Sequence, residues 1–389
     1  MKNQNRKIPK IRFNRFNSVW EENRIADIVK ISAGGDVDKV KLKESGKYPV
    51  IANALTNKGI VGFYEDYKVK APAVTVTGRG DVGYAVARHE NFTPIVRLLT
   101  LQSEKIDVDY LENQINSMRI LNESTGVPQL TAPQLGNYKV YHPKIEEQSA
   151  IGSLFRTLDD LLVSYKDNLA NYQSLKMTML SKMFPKVGQT VPEIRLDGFE
   201  DEWEKGTIGE FGSFYYGKSA PKWSVTDEAT TPCVRYGELY TKFSTKIDKI
   251  YSYTSIPKEN LKLSSGNEVL VPRVGENPLD FANCSWLSLK GVAIGEMISV
   301  YNTPNNPLFI AYYFNAKMKK EFAKRVEGGS VANLYYTYLE NISISVPSLP
   351  EQQSIGTYFS NLDNLINSHQ EKIFQLETLK KKLLQDMFI

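Results

Sequence analysis

The sequence predicts an α+β protein in which two globular mixed α/β arms are separated by two long α-helices. The helices are expected to pair as an antiparallel coiled coil within a pseudo-twofold internal repeat. Three observations predict this. Glu147–Leu161 reads EQSAIGSLFRTLDDL, and 204 residues later Glu351–Leu365 reads EQQSIGTYFSNLDNL, identical at eight of fifteen positions without a gap. A second echo, at an offset of 183, pairs PKIRFNRFNSVWE (Pro9–Glu21) with PEIRLDGFEDEWE (Pro192–Glu204). Through both repeated stretches the apolar residues fall at alternating spacings of 4 and 3, the a/d rhythm of paired helices.

The longer offset extends in both directions. Upstream it pairs Val127 with Val331, Leu130 with Leu334, Leu135 with Leu339, Asn137 with Asn341 and Pro143 with Pro347. Downstream it pairs Leu175 with Leu379, Lys176 with Lys380, Leu180 with Leu384 and Met183-Phe184 with Met387-Phe388. Because the offset grows by 21 from start to end, the second copy is longer in its middle, where the two copies also diverge most. The expected segments are an arm at 1–143, a central helix at 144–190, a second arm at 191–347 and a C-terminal helix at 348–389. Shared ends around unlike middles suggest one scaffold with two recognition surfaces; a duplication that merely drifted is the alternative.

Within the arms, AVTVTGRGDVGYAVA (Ala73–Ala87), NEVLVPRVG (Asn267–Gly275) and NISISVP (Asn341–Pro347) mix β-branched residues with Gly and Pro and read as strands and turns. Helical patterns occupy DVDYLENQINSMRIL (Asp107–Leu121) and NPLFIAYYFNAKMKKEFAKR (Asn306–Arg325). In the long helices the seam is Ile151, Phe155, Leu158, Leu162, Tyr165, Leu169, Tyr172, Lys176, Met179 and Met183. Its counterpart is Ile355, Phe359, Leu362, Ile366, His369, Ile373, Leu376, Lys380, Leu383 and Met387.

Leu154, Leu161, Leu175, Leu365 and Leu379 widen the stripe, so each helix should also pack on an arm or on another protein. Ser348-Leu349-Pro350-Glu351 has the spacing of a capping box, and Pro185 and Gly188 should stop the first helix. At ~1.5 Å per residue, 38 residues make a rod of roughly 57 Å. Two such helices would most economically pair as a strut, the alternative being that each completes the core of its own arm. Lys176 and Lys380 on the seam lower stability unless their ammonium groups reach water or a carboxylate. Their joint replacement by leucine should then raise thermal stability.

Composition bounds the function. The chain has 389 residues, enough for two or three domains, and no apolar run long enough to cross a membrane. Cys233 and Cys284 are too few for a disulfide framework or a zinc site, and a cytoplasmic setting is expected. The net charge is +4, and the positive excess lies outside the helices. Lys2, Arg6, Lys7, Lys10, Arg12 and Arg15 form an N-terminal run without an acid, suited to a polyanion or simply solvated.

With these features assembled, the chain resembles the specificity (S) subunits of Type I DNA restriction–modification enzymes over essentially its whole length. The resemblance rests on the duplicated arms and on the phrase P-x-L-x-E-Q-x-x-I leading from each arm into a long helix. The second copy carries it as Pro347, Leu349, Glu351, Gln352 and Ile355; the first keeps Pro143 and has Ile145 in place of Leu. The arm-opening Trp20-Glu21 and Trp203-Glu204 also fit.

The resemblance implies a non-catalytic reader of double-stranded DNA, with each arm a target-recognition domain for one half of a bipartite, asymmetric site. It implies paired helices that set the spacer between the halves and dock two modification (methyltransferase) subunits. Those would methylate adenine N6 with S-adenosylmethionine, while restriction subunits add ATP/Mg-driven translocation and cleavage. No cofactor is expected in this chain, and no membrane partner.

The residues themselves agree that catalytic chemistry is missing. Asn306-Pro307-Leu308-Phe309 lacks the second proline of an amino-methyltransferase motif and reads as a helix start. No P-loop is present, Asp66-Tyr67-Lys68 has no convincing upstream acid, and His89, His142 and His369 are scattered. Candidate DNA contacts in the first arm are Asn53, Asn57, Lys58, Thr75, Thr77 and Arg79, with Thr56 beside them. In the second arm they are Lys218, Lys222, Arg235, Tyr236, Lys242 and Arg273, with Trp223 nearby and twelve of the chain's 22 tyrosines. The rival reading is a non-enzymatic coiled-coil adaptor presenting two arms to protein or carbohydrate.

Overall fold

Both repeated stretches form single helices of 38 residues, Ile145–Lys182 and Leu349–Asp386, whose first and last residues keep the offset of 204. The computed structural model describes residues 8–118, 120, 129–186, 188–218 and 220–389; Lys2, Arg6, Lys7 and Val127 lie outside them. The chain divides into two compact units that do not follow sequence order. The first comprises 1–167 with 370–389, the second 168–369. Each unit therefore holds one arm, the first part of one long helix and the last part of the other.

In the first unit a four-stranded sheet runs in the order Lys30–Ala33, Leu99–Gln102, Ala73–Val76, Ala85–Arg88, all antiparallel. Beside it Tyr48–Ile51 pairs antiparallel with Ile60–Tyr64 and parallel with Thr93–Pro94. Glu21–Arg24 and Lys139–His142 close the arm as a two-stranded ribbon just before the long helix.

The second unit repeats this plan. Ser213–Tyr216, Ile298–Asn302, Glu268–Pro272 and Ser285–Leu287 form the sheet, extended by Lys246–Ile247 at its edge. Thr231–Val234 pairs antiparallel with Ser252–Thr254 and parallel with Ala293–Ile294, and Glu204–Thr207 closes on Ser343–Val346. The middles, unlike in sequence, thus share one topology. Much of the extra length lies in one connection: 52–59 in the first arm against 235–251 in the second.

The duplicated ends form duplicated contacts. Glu147 and Glu351 are buried, and each gives both carboxylate oxygens to one arginine. Arg12 donates to Glu147 at 2.6 and 2.6 Å, Arg195 to Glu351 at 2.8 and 2.7 Å. Glu351, expected in a capping box, is thus engaged by a charged partner stronger than a backbone amide. Of the basic run, Arg12 is thus committed to the fold, while Lys10 stays exposed and meets Asp386 at 3.2 Å on the surface.

Gln148 donates to the Pro143 carbonyl and accepts from the Asp107 N–H; Gln352 does the same with Pro347 and Asn306. Asp107 and Asn306 cap the helices Val108–Ser117 and Pro307–Lys317 by accepting from the N–H of the third residue onward. Gly152 lies where the long helix meets the first of these caps. A Cβ there would sit 2.6 Å from Asp107 Oδ1.

Aromatic plugs complete both cores. In the first unit Met387 and Phe388 join Trp20, Tyr110, Ile151, Phe155, Leu158 and Leu162. In the second unit Met183 and Phe184 join Trp203, Phe309, Ile355, Phe359 and Leu362. Of the remaining seam residues Ile366 is buried, while Leu169 and Ile373 are half-buried.

The expected seam is therefore shared between the two helices and the arm core. Within each unit the helices run antiparallel. Asp159 meets Lys380 at 2.5 Å and Lys166 meets Glu377 at 2.7 Å in the first; Lys176 meets Asp363, and Tyr172 packs on His369, in the second. Both seam lysines thus reach carboxylates, which removes the reason to expect stabilisation by leucine. The widening leucines divide between the two expected uses: Leu154 packs against an arm core, while Leu161, Leu175, Leu365 and Leu379 are exposed.

Candidate nucleic-acid interface

Each arm gathers its connecting loops at one end of its sheets through the same backbone hydrogen bonds. In the first arm Gly34 N–H donates to Leu98 O at 2.8 Å, Ile95 N–H to Ile51 O at 2.9 Å and Leu130 N–H to Gly78 O at 2.9 Å. In the second, Gly217 N–H donates to Ile298 O at 3.0 Å, Gly295 N–H to Val234 O at 2.9 Å and Leu334 N–H to Arg273 O at 2.8 Å. These bonds bring together the loops after equivalent strands. The candidate residues Asn53, Asn57 and Lys58 occupy the same connection as Arg235, Tyr236 and Lys242; Thr77 and Arg79 occupy the same connection as Arg273.

Side chains sort these candidates. Thr75 is buried, donates to Val86 O and accepts from Arg88 Nε at 3.0 Å, so it braces the sheet and cannot meet DNA. Thr77 is also buried; its hydroxyl donates to Asp81 O and accepts from Tyr84 N–H, pinning the 77–84 turn. Asn53 donates to Val96 O at 2.5 Å and accepts from Gly78 N–H at 2.7 Å. Short polar residues at a strand end close local backbone bonds before they serve a ligand.

Asn57 and Lys58 are exposed in a left-handed turn at φ 48° and 49°, held by Arg88, whose guanidinium donates to Lys58 O at 2.7 Å. Burial lowers the Arg88 pKa to about 10, against the raising effect of Glu112. Arg79 is exposed and lines a polar cleft with Gly34, Asp36, Val96, Arg97 and Gln129.

In the second arm Lys218 and Lys222 are exposed, and Trp223 is 74% exposed on the short turn Lys222–Ser224. That turn is anchored by buried Ser224, which receives Thr254 Oγ1 at 2.9 Å. Tyr236 is exposed and Arg235 half-buried. Lys242 is paired with Glu238 at 3.1 Å and lies 5.7 Å over Tyr251. Arg273 Cζ lies over both Tyr216 and Tyr335, at 4.5 and 5.4 Å from the ring centres, and its buried Nε has no hydrogen-bond partner. Two rings this close hold the guanidinium by cation–π attraction and limit its freedom before a partner arrives.

Sequence reasoning missed Arg97, Asp36, Gln129 and Tyr335. They join the site only because the sheet order folds distant connections together, and no linear motif marks them. The three histidines lie apart: His89 bonds Asp109 at 2.8 Å, His142 bonds Asn23 at 3.0 Å and His369 packs on Tyr172. Among the described residues no group of metal-binding side chains forms, and no helix is long and apolar enough to cross a membrane.

An α+β fold with two arms of one topology, each ending in a differently furnished loop cluster, defines a doubled recognition protein. The family described as "Type I restriction modification DNA specificity domain" matches residues 17–172 and 200–378. The chain belongs to this family, as a specificity subunit of a type I restriction–modification system. It is 23% identical over 407 aligned positions to the type I restriction enzyme MjaVIII specificity subunit of Methanocaldococcus jannaschii, covering 94% of this chain and 91% of that one. A putative type I specificity subunit of Mycoplasma pneumoniae, S.MpnORF507P, is 25% identical over 160 residues, 40% of this chain and 43% of that one. The crystal structure of a type I restriction–modification S subunit from M. genitalium shares the fold with a TM-score of 0.67. That match has 16% identity and covers 98% of this chain and 99% of that one.

Proposed function

We propose that each arm reads one half of a bipartite, asymmetric site on duplex DNA. One observation carries this: two loop clusters built on the same hydrogen-bond frame present different side chains. The first offers Lys58, Arg79, Arg97, Asp36 and Gln129; the second offers Lys218, Lys222, Arg235, Tyr236 and Arg273. Such sets combine phosphate-binding cations with base-reading forks.

The paired helices set the unread spacer, since a 38-residue helix of ~57 Å is a fixed length of scaffold. Their exposed apolar residues, among them Leu161 and Leu379 in the first unit and Leu175 and Leu365 in the second, suit docking of two methyltransferase subunits. Methyl transfer from S-adenosylmethionine, and ATP/Mg-driven translocation and cleavage, then reside on partner subunits.

Methylation-aware sequencing of DNA modified by the chain with its methyltransferase partners tests this reading. A split motif with adenine methylation in both halves is expected. Arg79→Ala should relax one half and Arg235→Ala the other, each by ~1–3 kcal/mol of discrimination. A single uninterrupted motif would overturn the two-reader reading. Failure to retain duplex DNA at low salt would favour the adaptor instead.

A further inference from the structure

Val96 and Arg97 are consecutive non-glycine residues in the left-handed region, at φ 52° and 62°. A β-branched residue there is sterically strained, and such strain persists only where the surroundings impose it. Here they do. Val96 N–H donates to Gly35 O at 2.7 Å and Arg97 N–H to Gly34 O at 3.1 Å, while Val96 O accepts from Asn53. The other end of the Asn53 amide holds Gly78 N–H, one residue before Arg79. One side chain therefore ties the strained turn to the strand end that carries Arg79. Gly34 permits the close approach, since a Cβ there would lie 2.7 Å from Ile95 N.

The equivalent turn of the second arm, Glu296-Met297, has no left-handed residue. The strain is thus absent from the scaffold common to both arms and belongs to what distinguishes the first. Arg97 is exposed and lines the same cleft as Arg79.

We infer that Arg97 is a base-reading residue of the first arm, presenting its guanidinium fork to guanine in the major groove, and that Asn53 is its positioning residue. The inference rests on the proposed DNA-reading role. Guanine is the base whose N7 and O6 match a guanidinium bidentately, and a strained, over-constrained turn removes the freedom that a long side chain on a mobile loop would lose on binding. Arg79, leaving the same clamp, supplies the neighbouring contact.

The test is selection from a randomised duplex library by the full chain with its methyltransferase subunits. Wild type is compared with Arg97→Ala, Arg97→Lys and Asn53→Ala. The expected result is that Arg97→Ala loses a guanine preference of roughly 5- to 150-fold at one position of one half-motif, the other half being unchanged. Arg97→Lys keeps the charge but not the fork, so it should lose the same preference while the salt dependence stays as in wild type. Asn53→Ala should relax that position, and with it the neighbouring one read by Arg79, although both arginines are intact, an effect that simple loosening of the fold would not confine to one half-motif.

An unchanged guanine preference in Arg97→Ala, or even weakening across all sequences, would make Arg97 a phosphate contact, and full preference kept by Arg97→Lys would show that the fork is not what reads guanine; each result overturns the inference. Equal relaxation of both halves in Asn53→Ala would overturn the positioning role. A wild-type selection with no split motif would instead overturn the two-arm reading itself.

Discussion

Replacing Phe388 by alanine asks whether the last turn of one helix closes the core of the first arm. Phe388 is 8% exposed and lies 5.5 Å from the Tyr110 ring and 5.7 Å from Phe155. Deleting a buried phenyl group removes its transfer free energy and leaves a cavity, together about 3–5 kcal/mol. Phe184, the residue 204 positions earlier, touches four rings: Trp203, Phe309, Tyr313 and Phe359. Each aromatic pair adds about 0.5–1.5 kcal/mol.

Phe388→Ala should therefore fall near 3 kcal/mol, with Phe184→Ala at the upper end. Hydrogen exchange on the full chain locates the damage. Phe388→Ala should lose amide protection around Trp20, Tyr110 and Phe155, and Phe184→Ala around Trp203, Phe309 and Phe359. Protection lost around Trp203 in Phe388→Ala, with the Tyr110 region intact, would refute the assignment of each plug to its core.

Other perturbations follow from the repeated ion pairs. Lys176→Leu alone should destabilise, because it leaves Asp363, which also accepts from Tyr312 at 2.6 Å, half-buried without its cation. Lys176→Leu with Asp363→Asn should recover much of the loss in thermal melts, since the neutral amide leaves no unpaired charge and still accepts from the buried Tyr312 hydroxyl. Arg12→Ala and Arg195→Ala should each cost about 3–5 kcal/mol in denaturant unfolding, leaving Glu147 or Glu351 buried and unpaired; a cost below ~1 kcal/mol would contradict the buried pairing.

Glu112 supplies a pH test. Burial, aided by the nearby Asp159, raises its carboxyl from the usual 4.5 to about 7. A raised folded-state pKa means stability present below pH 4.5 and lost as pH rises through about 7. Glu112→Gln should therefore matter little at pH 4–5 and stabilise at pH 8. The stabilisation should be about 1–2 kcal/mol, less than the full difference because the group lines a groove open to solvent.

The repeated framework was legible because its contacts recur in sequence. The Ile151–Phe155 and Ile355–Phe359 rhythms, the Trp-Glu pairs and the Met-Phe ends each mark something that packing must repeat. Lys176 and Lys380 were also visible, and so, in hindsight, were Asp159 and Asp363 at the same offset. A helical wheel for one helix simply does not state its register against the other.

The recognition loops were read less well. Residue type separates a base-reading threonine from a turn-pinning one only once the backbone around Thr75 and Thr77 is known. Asn53, expected as a contact, has its amide bonded to Val96 O and Gly78 N–H. Arg97 passed unnoticed because its neighbours in space, Gly34 and Arg79, lie 63 and 18 positions away in the chain. The common sheet order of the two middles was hidden for a related reason: strand pairing tolerates wide sequence change when burial pattern and loop frame are kept.

The placement of Met387-Phe388 has a consequence for synthesis on the ribosome. The first arm emerges early, yet the residues that seal its interior are made after more than two hundred others. Through that interval Trp20, Tyr110 and Phe155 face an unfilled slot, while Met183-Phe184, the same two side chains, are already present. Early domains generally fold as they appear. Nascent chains arrested before residue 387 should accordingly stay protease-sensitive near Tyr110 and gain resistance only once Met387 and Phe388 have emerged. Resistance in the shorter chains would mean that the earlier Met-Phe pair stands in for the later one.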